Sequence, residues 1–187
     1  MSSRFEPVRE ETVYEGKFFS VRKAAFRHKD GDEAEREIVV HPGAVGIVVL
    51  DGEQLWFVRQ PREAIGSPDL LEIPAGKLDE DGEEPLETAK RELAEEIGKQ
   101  ADDWESLGSF YTSPGFTNEQ VHLYLATGIS DVDERPEVEE NERIDVEVRP
   151  LDELEALIAG TTDSKTIIGL ARLQLLLAEQ DRLPSAD

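Results

Sequence analysis

The densest chemistry in the chain sits on one short run, Arg91-Glu92-Leu93-Ala94-Glu95-Glu96. Glu92 and Glu96 are four residues apart, and Glu95 lies one step further round. On a helix that spacing brings the carboxylates side by side, at a cost of ~0.2–0.5 kcal/mol per like-charged pair. Leu86, Ala89, Leu93 and Ile97 recur at helical spacing and form an apolar stripe that faces a core. The three carboxylates border that stripe. Two readings follow. One is a solvated acidic face, with Arg91 partly neutralising Glu95 at i+4. The other is an all-oxygen site for a hard cation, Mg²⁺ or Mn²⁺.

The helix that must carry these groups is well marked. Pro85 suits its first turn, where a missing N–H costs nothing. Gly98 suits its C-terminal stop. A loop with glycines at Gly76 and Gly82 leads into it. Arg91-Glu92-Leu93-Ala94-Glu95-Glu96-Ile97-Gly98 resembles the core of the Nudix hydrolase box: Gly, five residues, Glu, seven residues, Arg-Glu-hydrophobic-x-Glu-Glu-x-Gly-hydrophobic. The chain departs from it in two places. Six residues separate Gly76 from Glu83, although Glu83 to Arg91 keeps its seven, and Lys99 takes the last hydrophobic position. The extra residue falls in the loop and Lys99 falls past the helix end, so neither touches the Arg-Glu-x-x-Glu-Glu core. The resemblance favours the metal reading.

Composition bounds the rest. At 187 residues the chain is one compact domain with room for a small appendage. It has no cysteine, so disulfides, thiolate catalysis and cysteine–zinc sites are out. Met1 to Glu10 has no apolar core, and no stretch reaches the ~20 apolar residues of a membrane span, so a cytoplasmic location is expected. The net charge is −23, with 43 acidic and 20 basic residues. Such a surface argues against nucleic acid and anionic membranes as partners. An anionic substrate then needs a bound metal and local arginines, helped by high salt, which shortens the Debye length to ~3 Å at 1 M. Lysine supplies only seven of the basic residues. The composition resembles proteins of salt-loving organisms; the alternative is an acidic mesophile protein.

Taken in order, Met1–Glu11 reads as a weakly ordered lead. Thr12–Gly16, Phe18–Arg27 and Arg36–Val40 read as strands, with a hairpin turn at Lys29-Asp30-Gly31-Asp32. Ala44–Leu50 is a continuous apolar run, the mark of a strand covered on both faces. Leu55–Arg59 returns after the Asp51-Gly52 turn, and Leu70–Gly76 delivers the chain into the box. Further strands are expected at Trp104–Tyr111, Gln120–Ala126 and Ile144–Val148, and helices at Leu151–Ile158 and Asp163–Glu179. Asp131–Arg143 is charged and holds Pro136, so it reads as a mobile loop. Mixed strands with interleaved helices give an α+β sandwich. This matches the α/β/α Nudix sandwich with its mixed β-sheet, over residues 42–187, preceded by a small N-terminal β unit at 1–41.

Three features resemble the ADP-ribose pyrophosphatase group: that β unit, used there for dimerisation; Pro114 in Ser113-Pro114-Gly115-Phe116-Thr117-Asn118-Glu119; and Arg59-Gln60-Pro61-Arg62 ahead of Glu72-Ile73-Pro74-Ala75-Gly76. The resemblance implies a homodimer that hydrolyses ADP-ribose. Another nucleotide sugar such as GDP-mannose, or an inactive Nudix-fold binding protein, is the alternative. It implies Glu92, Glu96, Glu95 and the Ala75 carbonyl as ligands of Mg²⁺, with Mn²⁺ as substitute. It gives Arg59, Arg62 and Pro114 to the substrate, and Gly76, Glu83, Arg91 and Gly98 to the architecture of the box. The general base in that group comes from a loop before the last strand. Here that loop offers Glu140, with Glu142 as rival and Glu95 next.

Overall fold

A computed structural model describes residues 4–80, 82–136 and 143–180. Its strands are β1 (Phe5–Glu15), β2 (Ser20–His28), β3 (Glu33–Val40), β4 (Ala44–Asp51), β5 (Gln54–Arg62), β6 (Ser67–Glu72), β7 (Ala75–Lys77), β8 (Lys99–Tyr111), β9 (Gln120–Asp131) and β10 (Asp145–Pro150). Its α-helices are α1 (Pro85–Ile97), α2 (Leu154–Gly160) and α3 (Ser164–Gln180). The chain divides into two units. One runs up to Gly43 and takes in Phe110–Gln120; the other comprises Ala44–Ser109 and the chain from Val121 on.

In the first unit β1, β2 and β3 form an antiparallel sheet in that order. The weakly ordered lead expected at Met1–Glu11 is instead, from Phe5 on, the greater part of β1. Every residue of β1 is exposed, so it has no apolar alternation to read. Its ladder to β2 holds it, helped by cross-strand ion pairs such as Arg22 to Glu10 (2.7 Å) and Arg27 to Glu6 (3.2 Å). The 110–120 segment joins this unit through its backbone. Val39 N–H donates to the Phe116 carbonyl (2.8 Å), and Asn118 N–H to the Val39 carbonyl (3.3 Å).

The second unit is a mixed sheet in the order β10-β5-β4-β9-β8, with β6 on β5 and β7 on β4. β4 and β9 run parallel; the β4–β5 and β5–β10 pairs are antiparallel. Val45 to Val49 are all buried, as the unbroken apolar run requires. Val45, Ile47 and Val49 pack with Ala89, Leu93 and Ile97 of α1. Burying a side chain such as Leu93 contributes ~1.5–3 kcal/mol. α3 covers the other face: Gly169 sits so close that an added Cβ would stand 2.9 Å from Val48 Cγ2. Helix, sheet and helix thus make the three layers.

Several boundaries differ from the sequence reading. The single strand expected over Leu70–Gly76 breaks at Ile73-Pro74, because Pro74 has no N–H to give a ladder and Ile73 N–H goes to Thr166 Oγ1 (2.9 Å). β8 starts directly after the Gly98 stop, and β9 runs on to Asp131. The loop expected over Asp131–Arg143 includes residues 137–142, which lie outside the described residues. Among the described residues no helix is long and apolar enough to cross a membrane.

Candidate active site

α1 positions the acidic cluster. Pro85 opens it, and Gly98 closes it in the left-handed region (φ 68°), where its N–H returns to the Ala94 carbonyl (3.0 Å). Leu93 and Ile97 anchor the buried side of the helix. Glu96 is drawn in with them and is only 4 % exposed.

Arg91 organises the exposed carboxylates. Its Nη1 donates to Glu92 Oε1 and to Glu95 Oε2, each at 3.0 Å. Its Nη2 and Nε reach Glu83 at 3.3 and 3.4 Å. Thr88 Oγ1 fixes Glu83 from the other side (2.9 Å). Partial burial opposes the charge on Arg91, but the bonds to Glu83 and the charges of Glu92 and Glu95 outweigh it and raise the Arg91 pKa. The Arg91 bond correspondingly pulls the Glu83 carboxyl below its ordinary value. One guanidinium therefore ties the loop ahead of the helix to the helix and offsets the like-charge repulsion along it.

The short segment before the loop supplies the other wall. Ala75 N–H donates to Glu96 Oε2 (3.0 Å). Gly76 lies against Glu92, so a Cβ there would stand 2.0 Å from the Glu92 carboxyl carbon. Two box carboxylates thus close on the Ala75–Gly76 backbone. That oxygen-only donor set fits a hard divalent cation. Among the described residues no three carboxylate or imidazole side chains converge at metal-holding distance. Glu92 and Glu95 turn to Arg91, and Glu96 accepts from Ala75.

The two arginines of β5 have different surroundings. Arg62 makes a bidentate pair with Glu72, Nε to Oε1 at 2.6 Å and Nη2 to Oε2 at 2.7 Å. That bond raises the Arg62 pKa against partial burial, and the nearby charge of Glu96 adds to the rise. Arg59 pairs with Glu147 and approaches Asp69 (3.5 Å), neither of them a box residue. It lines a cavity of about 370 Å³ with Arg149, Leu157 and Thr161. Pro114 belongs to the first unit, where it lines a cavity of about 380 Å³ with Phe5, Phe26 and Phe116. Glu140 and Glu142 lie outside the described residues.

Three residues absent from the sequence reading of the site stand in this neighbourhood. Glu72 is fully buried and also accepts from Lys165. Arg135 reaches the end of α1, donating to the carbonyls of Glu95 (3.1 Å) and Glu96 (2.6 Å), where α1 has no basic residue of its own. The Glu72-Ile73-Pro74-Ala75-Gly76 wording held a signal for Glu72. Lys165 and Arg135 carried none, because each acts across a long gap in sequence.

Comparison with known proteins gives the family. The NUDIX domain family matches residues 40–169. A methanol dehydrogenase activator from Bacillus methanolicus is 39% identical over 171 residues, 90% of this chain and 91% of that one. An ADP-ribose pyrophosphatase from Bacillus subtilis is 38% identical over 176 residues, 92% and 94% of the two chains. The crystal structure of an ADP compounds hydrolase shares the fold with a TM-score of 0.84, covering 97% and 98% of the chains at 23% identity. The chain belongs to the NUDIX domain family, and within it to the Nudix-type diphosphate hydrolases.

Proposed function

We propose that this enzyme hydrolyses the diphosphate bond of ADP-ribose to AMP and ribose 5-phosphate with Mg²⁺. The observation that carries this reading is the closure of Glu92 and Glu96 on the Ala75–Gly76 backbone, with Arg62 close enough to feel Glu96. Glu92, Glu96, Glu95 and the Ala75 carbonyl would hold the cation. When bound, it neutralises charge on the diphosphate and makes a water nucleophilic. Arg91 holds the carboxylates in place and does no chemistry itself. Arg62 binds a phosphate through its planar guanidinium. Glu140 takes the proton of the attacking water. The Bacillus subtilis relative, 38% identical against 33% for a GDP-mannose pyrophosphatase, supports ADP-ribose over GDP-mannose.

Alkaline phosphatase frees phosphate from AMP and ribose 5-phosphate but not from the intact diphosphate. A coupled assay should therefore show Mg²⁺-dependent phosphate release with ADP-ribose, and slower release with GDP-mannose. Silence with every diphosphate tested would overturn the enzyme reading. The Bacillus methanolicus relative favours a second role, regulation of another enzyme. Intact Glu92, Glu95 and Glu96 imply that turnover accompanies any such role.

The reading includes a cytoplasmic homodimer built through the N-terminal unit and suited to high salt. β1 is exposed along all 11 residues, and Phe5, Val13, Tyr14 and Phe18 stand about half exposed nearby. Long open edges and apolar patches of this kind attract a partner. Light scattering that returned the monomer mass of 20.9 kDa would refute the dimer.

A further inference from the structure

We infer that Glu72 and Lys165 form a charge clamp that fixes Arg62 for the diphosphate, with Lys165 as a positioning residue that keeps the clamp from turning negative. The inference rests on the diphosphate reading above. Glu72 is a fully buried carboxylate at the end of β6. A buried carboxylate must be paired. It takes both Nε and Nη2 of Arg62, which fixes the plane of the guanidinium. Nη1 of Arg62 makes no hydrogen bond among the described residues, and the side chain keeps 42% of its exposure. The guanidinium is therefore held from one side and open on the other.

The Arg62–Glu72 pair is electrically neutral by itself, and Asp163 close by would turn the group negative and of little use to an anion. Lys165 changes that by donating to Glu72 Oε2 from the start of α3. Lys165 is 15% exposed and also lies 3.0 Å from Asp163 Oδ1. The other oxygen of Asp163 caps α3, accepting Thr166 N–H (2.9 Å) and the Thr166 hydroxyl (2.5 Å). Two cations and two carboxylates thus balance. Without Lys165 two carboxylates would face Arg62 alone, beside Glu96, and the neighbourhood would repel phosphate. The clamp is coupled to the acidic site through the backbone: Ile73 N–H is held by Thr166, and Ala75 N–H by Glu96.

Calorimetry with magnesium pyrophosphate tests the clamp without turnover. K165M should weaken its binding ~10-fold or more, since a unit charge close to an anion in a half-buried site acts at that scale. KM for ADP-ribose should rise in parallel while kcat stays within about 3-fold, the pattern of lost binding. K165R, which keeps the charge, should bind magnesium pyrophosphate within about 3-fold of wild type, whereas E72Q/K165M, which restores the charge balance but loses the bidentate hold on Arg62, should bind more tightly than K165M yet ~3-fold or more below wild type. If K165M does not fold, the double variant carries the test, and its binding like wild type would overturn the clamp. A K165M that binds like wild type overturns the clamp, as does a double variant that binds more weakly than K165M, which would mark a packing role. Wild type that binds no magnesium pyrophosphate overturns it too. If binding follows charge but ADP-ribose is left intact, the substrate reading falls and the clamp stands. If ADP-ribose is turned over and K165M changes nothing, the reverse holds.

Discussion

Gly76→Ala should disable the site by way of Glu92. A Cβ at Gly76 would stand 2.0 Å from both Cδ and Oε1 of Glu92, whereas ordinary contact begins at 3.4 Å. The carboxylate must therefore withdraw by about 1.4 Å, the difference between those two distances. Gly76 is not among the glycines with positive φ, so alanine fits the backbone and the damage is steric. The clashing atoms are the far end of a flexible side chain, so the cost is the loss of the Arg91 bond to Glu92, ~1 kcal/mol. At roughly 2–4 °C per kcal/mol for a chain of this length, thermal unfolding should drop by a few degrees without loss of the fold. A displacement near 1 Å at a reacting centre costs ~10²-fold in rate, so kcat with ADP-ribose should fall by about that much. Calorimetric affinity for Mn²⁺ should weaken with it. The decisive control is the same substitution in an E92A background, where the clashing group is gone. There Gly76→Ala should cost less than ~0.5 kcal/mol, because neighbours in contact are coupled and the coupling would be removed. If Gly76→Ala costs as much stability in E92A as in wild type, the effect does not pass through Glu92 and the reasoning fails.

Other outcomes follow from the same geometry. Glu96→Gln should abolish metal-dependent turnover while far-UV circular dichroism stays native; near-full activity would remove Glu96 from the mechanism. Glu140→Gln should lower kcat by ~10²-fold or more with little change in KM, the scale of a positioned base, and Glu142→Gln should do much less. The reverse ranking in steady-state kinetics would move the role to Glu142, and no effect from either would point to Glu95. Acid should unfold the protein partly through Glu72. Burial opposes its charge, but the bonds from Arg62 and Lys165 win and hold its pKa below the ordinary value. A depressed folded pKa means that this stabilisation is complete above about pH 4.3 and is lost as pH falls through the folded value. Urea titrations of E72Q below pH 4.3 should therefore show a shallower loss of stability than wild type, and an equal slope would exclude Glu72 as a source.

The parts of this protein that were legible in the sequence are those whose cause is local. The box helix could be read to its ends because Pro85 and Gly98 act on the backbone where they stand, and its stripe repeats every turn. The β4 strand could be read because a run buried on both faces must be apolar throughout. β1 could not, because charged residues hold it by pairing across strands, a relation that leaves no periodic trace. The acidic cluster was visible as a spacing on one helix. What surrounds it was not. Gly76 is a glycine in a loop until a carboxylate sixteen residues on is seen lying against it. Lys165 reaches Glu72 across 93 positions, and Arg135 reaches Glu95 across 40. Lys165 belongs to the helix that folds over the sheet after the box has passed, and Arg135 to the irregular segment that follows β9. Sequence could thus name the groups able to hold a cation. Arg91 balances those groups from within the box, but the charge beside Arg62 is set by Lys165, brought in from elsewhere in the chain. In a protein of net charge −23, that balance decides whether an anionic substrate can approach at all.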